Sequence, residues 1–247
     1  MTVKVSCTII AINEADRITR AIQSVQGLVD EVLVVDSGST DGTQALCEKL
    51  GARVLFNPWS GFGQQKRFAE DPARNDVILN LDADEWLGAD LRAEIAALLA
   101  GGALPAKSYR MRMTLVYPGR AAPAPFASFH NYVRLYDRRA TRFANSAVHD
   151  EVPATPDARQ LAAPALHESF RNLSHLVRKE LDYFNLQKRE VKKGRAQLFA
   201  RALIEWPAQF FKYYILRRHF FGGAYGLALA LVMATMRWLR LLILAGL

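Results

Sequence analysis

Three carboxylates stand almost side by side in Leu81-Asp82-Ala83-Asp84-Glu85, directly after the apolar run Val77-Ile78-Leu79. Residues two apart on a strand point the same way, so Asp82 and Asp84 at a strand end would present paired oxygens. Hard divalent cations take such oxygens and commonly bridge them to phosphates. An Asp-x-Asp alone is weak evidence. Capping of a helix that begins near Gly88 would account for one of these acids but not for three. Glu85 would either support the pair or be solvated. A second acidic group, His149-Asp150-Glu151, offers two carboxylates for proton transfer.

The elements that must position these residues are legible upstream. Val3 to Ile12 is a nearly unbroken apolar run with β-branched residues, the pattern of a buried parallel strand, and it ends at Asn13-Glu14. Ile18, Ala21, Ile22 and Val25 then fall on one helical face. Glu31 to Asp36 is a second strand, followed by the turn Ser37-Gly38-Ser39-Thr40-Asp41-Gly42-Thr43 and a helix stopped by Gly51. Arg53 to Phe56 is a third strand. This β-α-β-α-β order predicts an open parallel sheet, in which ligands sit beyond the carboxyl ends of the strands. Asn13, Glu14, Asp36, Asp82 and Asp84 all lie at those ends.

The 247 residues, 51% hydrophobic, suffice for a sizeable core. Cys7 and Cys47 sit within a strand and a helix pattern and are expected to be buried packing residues. The N-terminal run lacks the basic flank of a secretory leader, so a cytosolic enzyme is expected. The formal net charge of +8 is unevenly spread. From Arg171 onward there are 14 Lys/Arg against 4 Asp/Glu, which leaves 18 against 20 before it. The expected division is therefore 1–170 and 171–247, with Pro153, Pro156 and Pro164 marking the irregular approach. Leu173, Leu176, Val177, Leu181 and Phe184 give a helical stripe, followed by Lys188-Arg189, Lys192-Lys193 and Arg195. Aromatic residues from Trp206 to Phe221 then interleave with Lys212 and Arg217-Arg218. Phe220 to Met236 is an uncharged run of 17 residues that contains Gly222, Gly223 and Gly226. A basic, aromatic and apolar segment at the floor of the spanning length is expected to lie in the interface of an anionic membrane. A helix packed on the domain and a true span are the alternatives. So much apolar area disfavours nucleic acid as the partner.

In several motifs together the chain resembles inverting family 2 glycosyltransferases of the GT-A fold. They are Ile10 to Glu14, Val34 to Thr43, Gln65-Lys66, Leu81 to Glu85, Arg134-Leu135-Tyr136, Val148-His149-Asp150 and Lys212 to Arg217. Within that family it is most similar to the lipopolysaccharide core β-1,4-glucosyltransferases. The resemblance implies a GT-A nucleotide-diphospho-sugar transferase sheet with helices on both faces, a helical basic and apolar C-terminal extension, and a nucleotide-sugar donor, UDP-linked glucose being the first expectation. It also implies a lipopolysaccharide or other lipid-linked glycan acceptor, Mg²⁺ or Mn²⁺ as cofactor, and a place on the cytoplasmic face of the bacterial inner membrane.

By the same resemblance Asp84 is the direct metal ligand and Asp82 faces the ribose or the metal's water shell. Asp36 accepts from the uracil N3–H or else serves its turn, and Asn13 and Glu14 border the nucleoside or start a helix. Lys66 stands near the nucleotide or is a surface lysine. Asp150 is the base in preference to Glu151. His149 completes the metal site or is structural, and His167 is structural or an acceptor contact. Arg67 and Phe220-Phe221-Gly222-Gly223 depart from the family's pattern and bear on donor and acceptor identity. A polyprenyl phosphate or another envelope glycan is the alternative acceptor. A nucleotidyltransferase would carry a Gly-rich basic loop where Asn13 to Arg17 stands, and a catalytically silent membrane-binding module would leave the clustered carboxylates unexplained. No Gly-x-Gly-x-x-Gly follows the first strand, which disfavours a dinucleotide oxidoreductase.

Overall fold

The computed structural model describes residues 2–146, 150–187 and 195–245. They form two compact units, Met1–Thr114 with Phe129–His167, and Leu115–Ser128 with Glu168–Leu247. The first unit carries β1 (Val5–Ala11), α1 (Ile18–Val25), β2 (Glu31–Asp36), α2 (Thr43–Lys49), β3 (Arg53–Phe56), α3 (Phe62–Glu70), β4 (Val77–Asp82), β5 (Glu85–Leu87) and α4 (Ala89–Ala100). It continues through β6 (Ser108–Leu115), β7 (Phe129–Asp137), β8 (Arg159–Gln160) and β9 (Ala165–His167). The sheet order is β3-β2-β1-β4-β7-β6-β9-β5, with β8 paired to β6.

β3, β2, β1 and β4 are parallel, as the sequence pattern predicts. The sheet is nevertheless mixed, because β7 and β6 extend it antiparallel from β4. The alternation along β1 divides the interior into two layers. Val5, Cys7 and Ile9 join α1 residues Ile18 and Ile22 and α4 residues Leu91 and Ile95 on one face. Ile10 joins Leu33, Ile78, Ala69 of α3, Tyr136 and Phe143 on the other. Helices thus cover both faces, the expected open-sheet α/β architecture of the GT-A type. The two cysteines are buried, and burial pushes the Cys47 thiol up to about 11.

The second unit is helical: α5 (Leu173–Gln187), α6 (Arg195–Phe211), a π-helical turn at Lys212–Leu216, a 3₁₀ turn at His219–Gly222, and α7 (Gly223–Ala245). Its inclusion of Leu115–Ser128 has no signal in the sequence, since contacts distant along the chain create it. Lys188-Arg189 and Lys192-Lys193 lie outside the described residues. His219–Leu244 is long and apolar enough to cross a membrane by length and composition. Leu203, Ile204, Phe211 and Leu216 are each more than half exposed.

Two of the three glycines of the apolar run have local causes. Gly223 adopts φ +60°, and a Cβ on Gly226 would run into the backbone carbonyl of His219. Around that contact Tyr117 Oη lies 2.8 Å from His219 Nδ1. Burial, with Arg217 adding to it, pushes His219 down to about 4, so the imidazole is neutral at pH 7. Gly226→Ala should destabilise the helical unit by roughly 1–3 kcal/mol or more, because backbone rather than a flexible side chain would have to give way. Urea unfolding followed by the fluorescence of Trp206 and Trp238 checks this, and an unchanged midpoint would contradict so close an approach.

Candidate active site

Register brings the candidate residues to one edge of the first unit's sheet. Ala11 pairs with Asp36 and Ile10 with Asp82, so three parallel strands end at nearly the same level. The loops beyond them are laced together. Asn13, at φ 54°, donates its N–H to Ser39 Oγ (2.8 Å), and its Oδ1 accepts from Thr40 N–H (2.9 Å). Asn tolerates the left-handed region because its short polar side chain bonds locally. Glu14 N–H donates to Thr43 Oγ1 (2.9 Å) and Ala15 N–H to Asp41 Oδ2 (3.1 Å). Asp41 Oδ1 also accepts from Thr43 at the start of α2.

Asp36 is fully buried. Its Oδ1 accepts from the N–H groups of Gly38 and Ser39 (both 2.8 Å) and from Gln44 Nε2 (2.6 Å), while Oδ2 accepts from Ser39 Oγ. Burial raises its pKa, but these donors prevail and hold the carboxyl below the usual range. The carboxylate organises the turn after β2. Glu14 is likewise engaged, by a two-pronged contact from Arg17 at 2.7 and 2.9 Å.

The centre of the edge is a buried ionic network. Asn80 and Asp82 lie on the same side of β4, two residues apart. Arg134 of β7 donates to Asn80 Oδ1 (2.5 Å), Asp82 Oδ2 (3.2 Å) and Glu85 Oε1 (2.7 Å). Glu85 Oε2 accepts the Asp82 N–H at 2.8 Å. Lys66 of α3, only 1% exposed, places Nζ 2.8 Å from Asp82 Oδ1 and 3.1 Å from Asp150 Oδ2. It is therefore not a surface lysine. The Asp82 contact is an ion pair off the line of a hydrogen bond, so the sealed Oδ1 has no aligned donor. Burial acts to raise the pKa of Asp82, yet the Lys66 ammonium and Arg134 guanidinium outweigh it and hold it below the carboxylate range. At Glu85 burial wins over Arg134, and the nearby Asp82 charge adds to it, so its pKa is raised. Burial lowers the pKa of Arg134, but Glu85 and Asp82 reverse this, leaving the guanidinium charged.

Asp84 meets Arg17 and His167. Its Oδ2 is 3.5 Å from Arg17 Nη1 and 3.4 Å from His167 Nε2. Burial lowers the His167 pKa, while the Asp84 carboxylate more than compensates, so the pKa rises. These contacts are longer than the ~2.7–2.9 Å of a close charge-assisted bond. The Asp84 carboxylate and the His167 nitrogen are donors of the kinds that Mg²⁺ or Mn²⁺ accepts, whereas Asp82 Oδ1 is sealed and faces the Lys66 ammonium. Among the described residues no group of three or more His, Cys, Asp or Glu side chains is arranged to hold a metal ion by itself. Mg²⁺ commonly binds through one or two carboxylates, with substrate phosphates and water as its other ligands.

Of the sequence candidates, Asn13, Glu14, Asp36, Lys66, Asp82, Asp84 and Asp150 thus share one edge. The Asp150 side chain is 42% exposed, and Glu151 is exposed too. His149 lies outside the described residues. His167 stands beside Asp84, a proximity made by the antiparallel pairing of β9 with β5, in which His167 is opposite Glu85. Arg134 and Arg17 also escaped a role on sequence grounds. Arg17 had one available signal, its spacing of three from Glu14 on a helix start.

The model of "Glycosyl transferase family 2" matches residues 6–104. An uncharacterized glycosyltransferase of Rickettsia conorii is 38% identical over 252 residues, covering 98% of this chain and 89% of its own length. A lipopolysaccharide core biosynthesis glycosyltransferase, LpsC of Rhizobium meliloti, is 38% identical over 100 residues, 38% of this chain and 37% of its own. The crystal structure of S. aureus TarS 1–349 in complex with UDP shares the fold at TM-score 0.51 and 15% identity, covering 85% of this chain and 72% of that one.

Arg134→Met should destabilise the protein by about 3–5 kcal/mol, the usual cost of stranding the partners of a buried ion pair. Adding Glu85→Met should recover part of that loss. Thermal or urea unfolding of the single and double variants checks both, and a neutral single variant would contradict the burial of this pair.

Proposed function

Because this chain belongs to glycosyl transferase family 2 and is a glycosyltransferase, we propose that it transfers a hexose, glucose first, from a UDP-linked donor to a lipopolysaccharide inner-core sugar with inversion at the anomeric carbon. The observation that carries this reading is the linkage of Asp82, Lys66 and Asp150 at one sheet edge beside Asp84. It joins acids suited to a diphosphate's counter-cation with an accessible carboxylate suited to an acceptor hydroxyl. The UDP held by S. aureus TarS supports a uridine diphosphate donor, and the similarity to LpsC supports a core-sugar acceptor.

The residues divide the work. The turn organised by Asp36, with Asn13 and Glu14 beside it, forms the wall for the nucleoside. Asp84, with His167 beside it, would hold a divalent metal. When bound, that metal supplies positive charge to the departing diphosphate. Asp150 accepts the proton of the acceptor hydroxyl as its oxygen bonds to the anomeric carbon. The bond from that carbon to the diphosphate oxygen breaks on the opposite face. Lys66 fixes Asp150 relative to Asp82, and Glu151 lies next along the chain as the alternative base. The exposed apolar and basic surface of the helical unit supports peripheral attachment to the cytoplasmic face of the bacterial inner membrane, where a lipid-anchored acceptor meets a cytosolic donor.

Two measurements test this. The full-length protein is incubated with Mg²⁺ or Mn²⁺, a panel of sugar nucleotides and truncated lipopolysaccharide, and nucleotide release is followed. Release should require the acceptor, fall away in excess EDTA, and be abolished by Asp84→Ala while the fold persists. Full activity in EDTA would overturn the metal role. Asp150→Asn should lower turnover by at least ~10²-fold with donor affinity nearly unchanged, as removal of a general base does. A near-normal Asp150→Asn with a dead Glu151→Gln would move the base by one residue. NMR of the product's anomeric proton decides inversion against retention.

A further inference from the structure

The helical unit contains a cavity of about 280 Å³ that the sugar-transfer chemistry does not use. Arg201, Lys212, Arg217, Arg237 and Arg240 line it, with Glu205 as the one carboxylate among the described residues of its wall. Glu205 is already engaged. Arg201 Nε donates to its Oε2 at 2.9 Å, and Gln209 Nε2 donates to its Oε1 at 3.0 Å. Among the described residues no carboxylate lies within ion-pair distance of Lys212, Arg217 or Arg237. Arg217 lies over the Tyr213 ring at 5.1 Å and Arg240 over the Phe184 ring at 5.9 Å, contacts that hold their stems beside apolar groups.

Arg201 is answered by Glu205, and the like charges of Lys212, Arg217 and Arg237 around the same space repel one another. A bound anion with several acceptor oxygens relieves that repulsion, and guanidinium forks match phosphate oxygens in pairs. The volume is at the small end of the ~300–1,000 Å³ typical of ligand pockets. It suits a phosphate with a few attached atoms better than a sugar nucleotide. Leu198, Leu241 and Leu244 give the wall an apolar part, and Gln209 and Tyr213 complete it. Leu203 and Ile204, on the same helix as Arg201, are 70% and 67% exposed. A cationic pocket with apolar walls on an apolar-faced helical pair fits an amphiphile whose head is a phosphate.

We propose that this cavity is a binding site for the phosphate headgroup of a membrane lipid, one lipid per chain, which gives the helical unit a stoichiometric anchor. The proposal deepens the peripheral-membrane reading above and rests on it. It differs from a diffuse basic surface in one respect: charges inside the cavity matter and equal charges elsewhere on the unit do not.

The experiment uses the full-length chain, the variant Lys212→Gln/Arg237→Gln, and the control Arg120→Gln/Arg178→Gln, which removes two exposed charges of the same unit outside the cavity. Flotation is measured with phosphatidylcholine vesicles with and without phosphatidic acid. Calorimetric titration uses inorganic phosphate and, separately, water-soluble dibutyryl phosphatidic acid. The parent chain should bind only the vesicles that contain phosphatidic acid. The pocket variant should lose at least ~10-fold in affinity, as the loss of two charge-assisted contacts requires, while the control stays near the parent. Dibutyryl phosphatidic acid should bind one per chain and more tightly than inorganic phosphate, whereas equal affinity would make free phosphate the ligand and overturn the lipid assignment. Equal weakening of both variants on vesicles would leave membrane binding standing and overturn the pocket. If no vesicle binds the parent chain, the membrane reading fails, and the soluble titration alone then decides the pocket: one-to-one binding lost in the pocket variant upholds it, and no binding overturns it. Unchanged thermal unfolding of the variants confirms that charge, not folding, was removed.

Discussion

Concentrated negative charge at the edge of a sheet has to be neutralised, and two buried cations do most of this in the first unit. Lys66 and Arg134 approach from α3 and β7 and meet at Asp82, on the strand between their contacts. Each also reaches a second acid, Asp150 for Lys66 and Glu85 for Arg134. The ammonium and guanidinium therefore tie three sheet strands, one helix and the segment after residue 149 to a single point. A buried charge without its partner is costly, so the positions of these elements are mutually dependent.

The same tie separates acids that serve structure from those left for ligands. Asp36 and Glu85 are buried and engaged on both oxygens. Asp84 lies beside Arg17 and His167, and Asp150 is partly exposed. An active site that must bind and release a highly charged nucleotide needs this gradation. Tightly engaged carboxylates keep their geometry as charge arrives, and loosely engaged ones can exchange partners. The proposed base falls on the partly exposed Asp150.

The helical unit follows another constraint. Its last helix is long and apolar, yet glycine at 226 lets it lie against the turn at His219, where a neutral buried imidazole meets Tyr117. Basic residues gather around a cavity within the unit while several large apolar side chains remain outside. Aqueous solvent alone gives little reason for that combination, and a lipid surface with anionic heads gives one for both parts.

Much of this was legible in the chain itself. The apolar run into Asn13, the stripe Ile18-Ala21-Ile22-Val25, the turn after Asp36 and the stop at Gly51 each carry a local physical signal, and the parallel strands and flanking helices appear where those signals put them. The convergence of Asn13, Asp36 and Asp82 also followed, because parallel strands of similar length end at one edge. What no local pattern could give is contact between distant segments. The antiparallel strands β6 and β7, the membership of Leu115–Ser128 in the helical unit, the burial of Lys66 and the approach of His167 to Asp84 all depend on pairing between residues far apart in the chain. A lysine reads as a surface residue until the tertiary fold supplies two carboxylates to stabilise its buried charge, and a histidine reads as structural until strand pairing sets it beside an acid. The residue types and their order along the strands determined which groups could do chemistry, and long-range packing decided which of them meet.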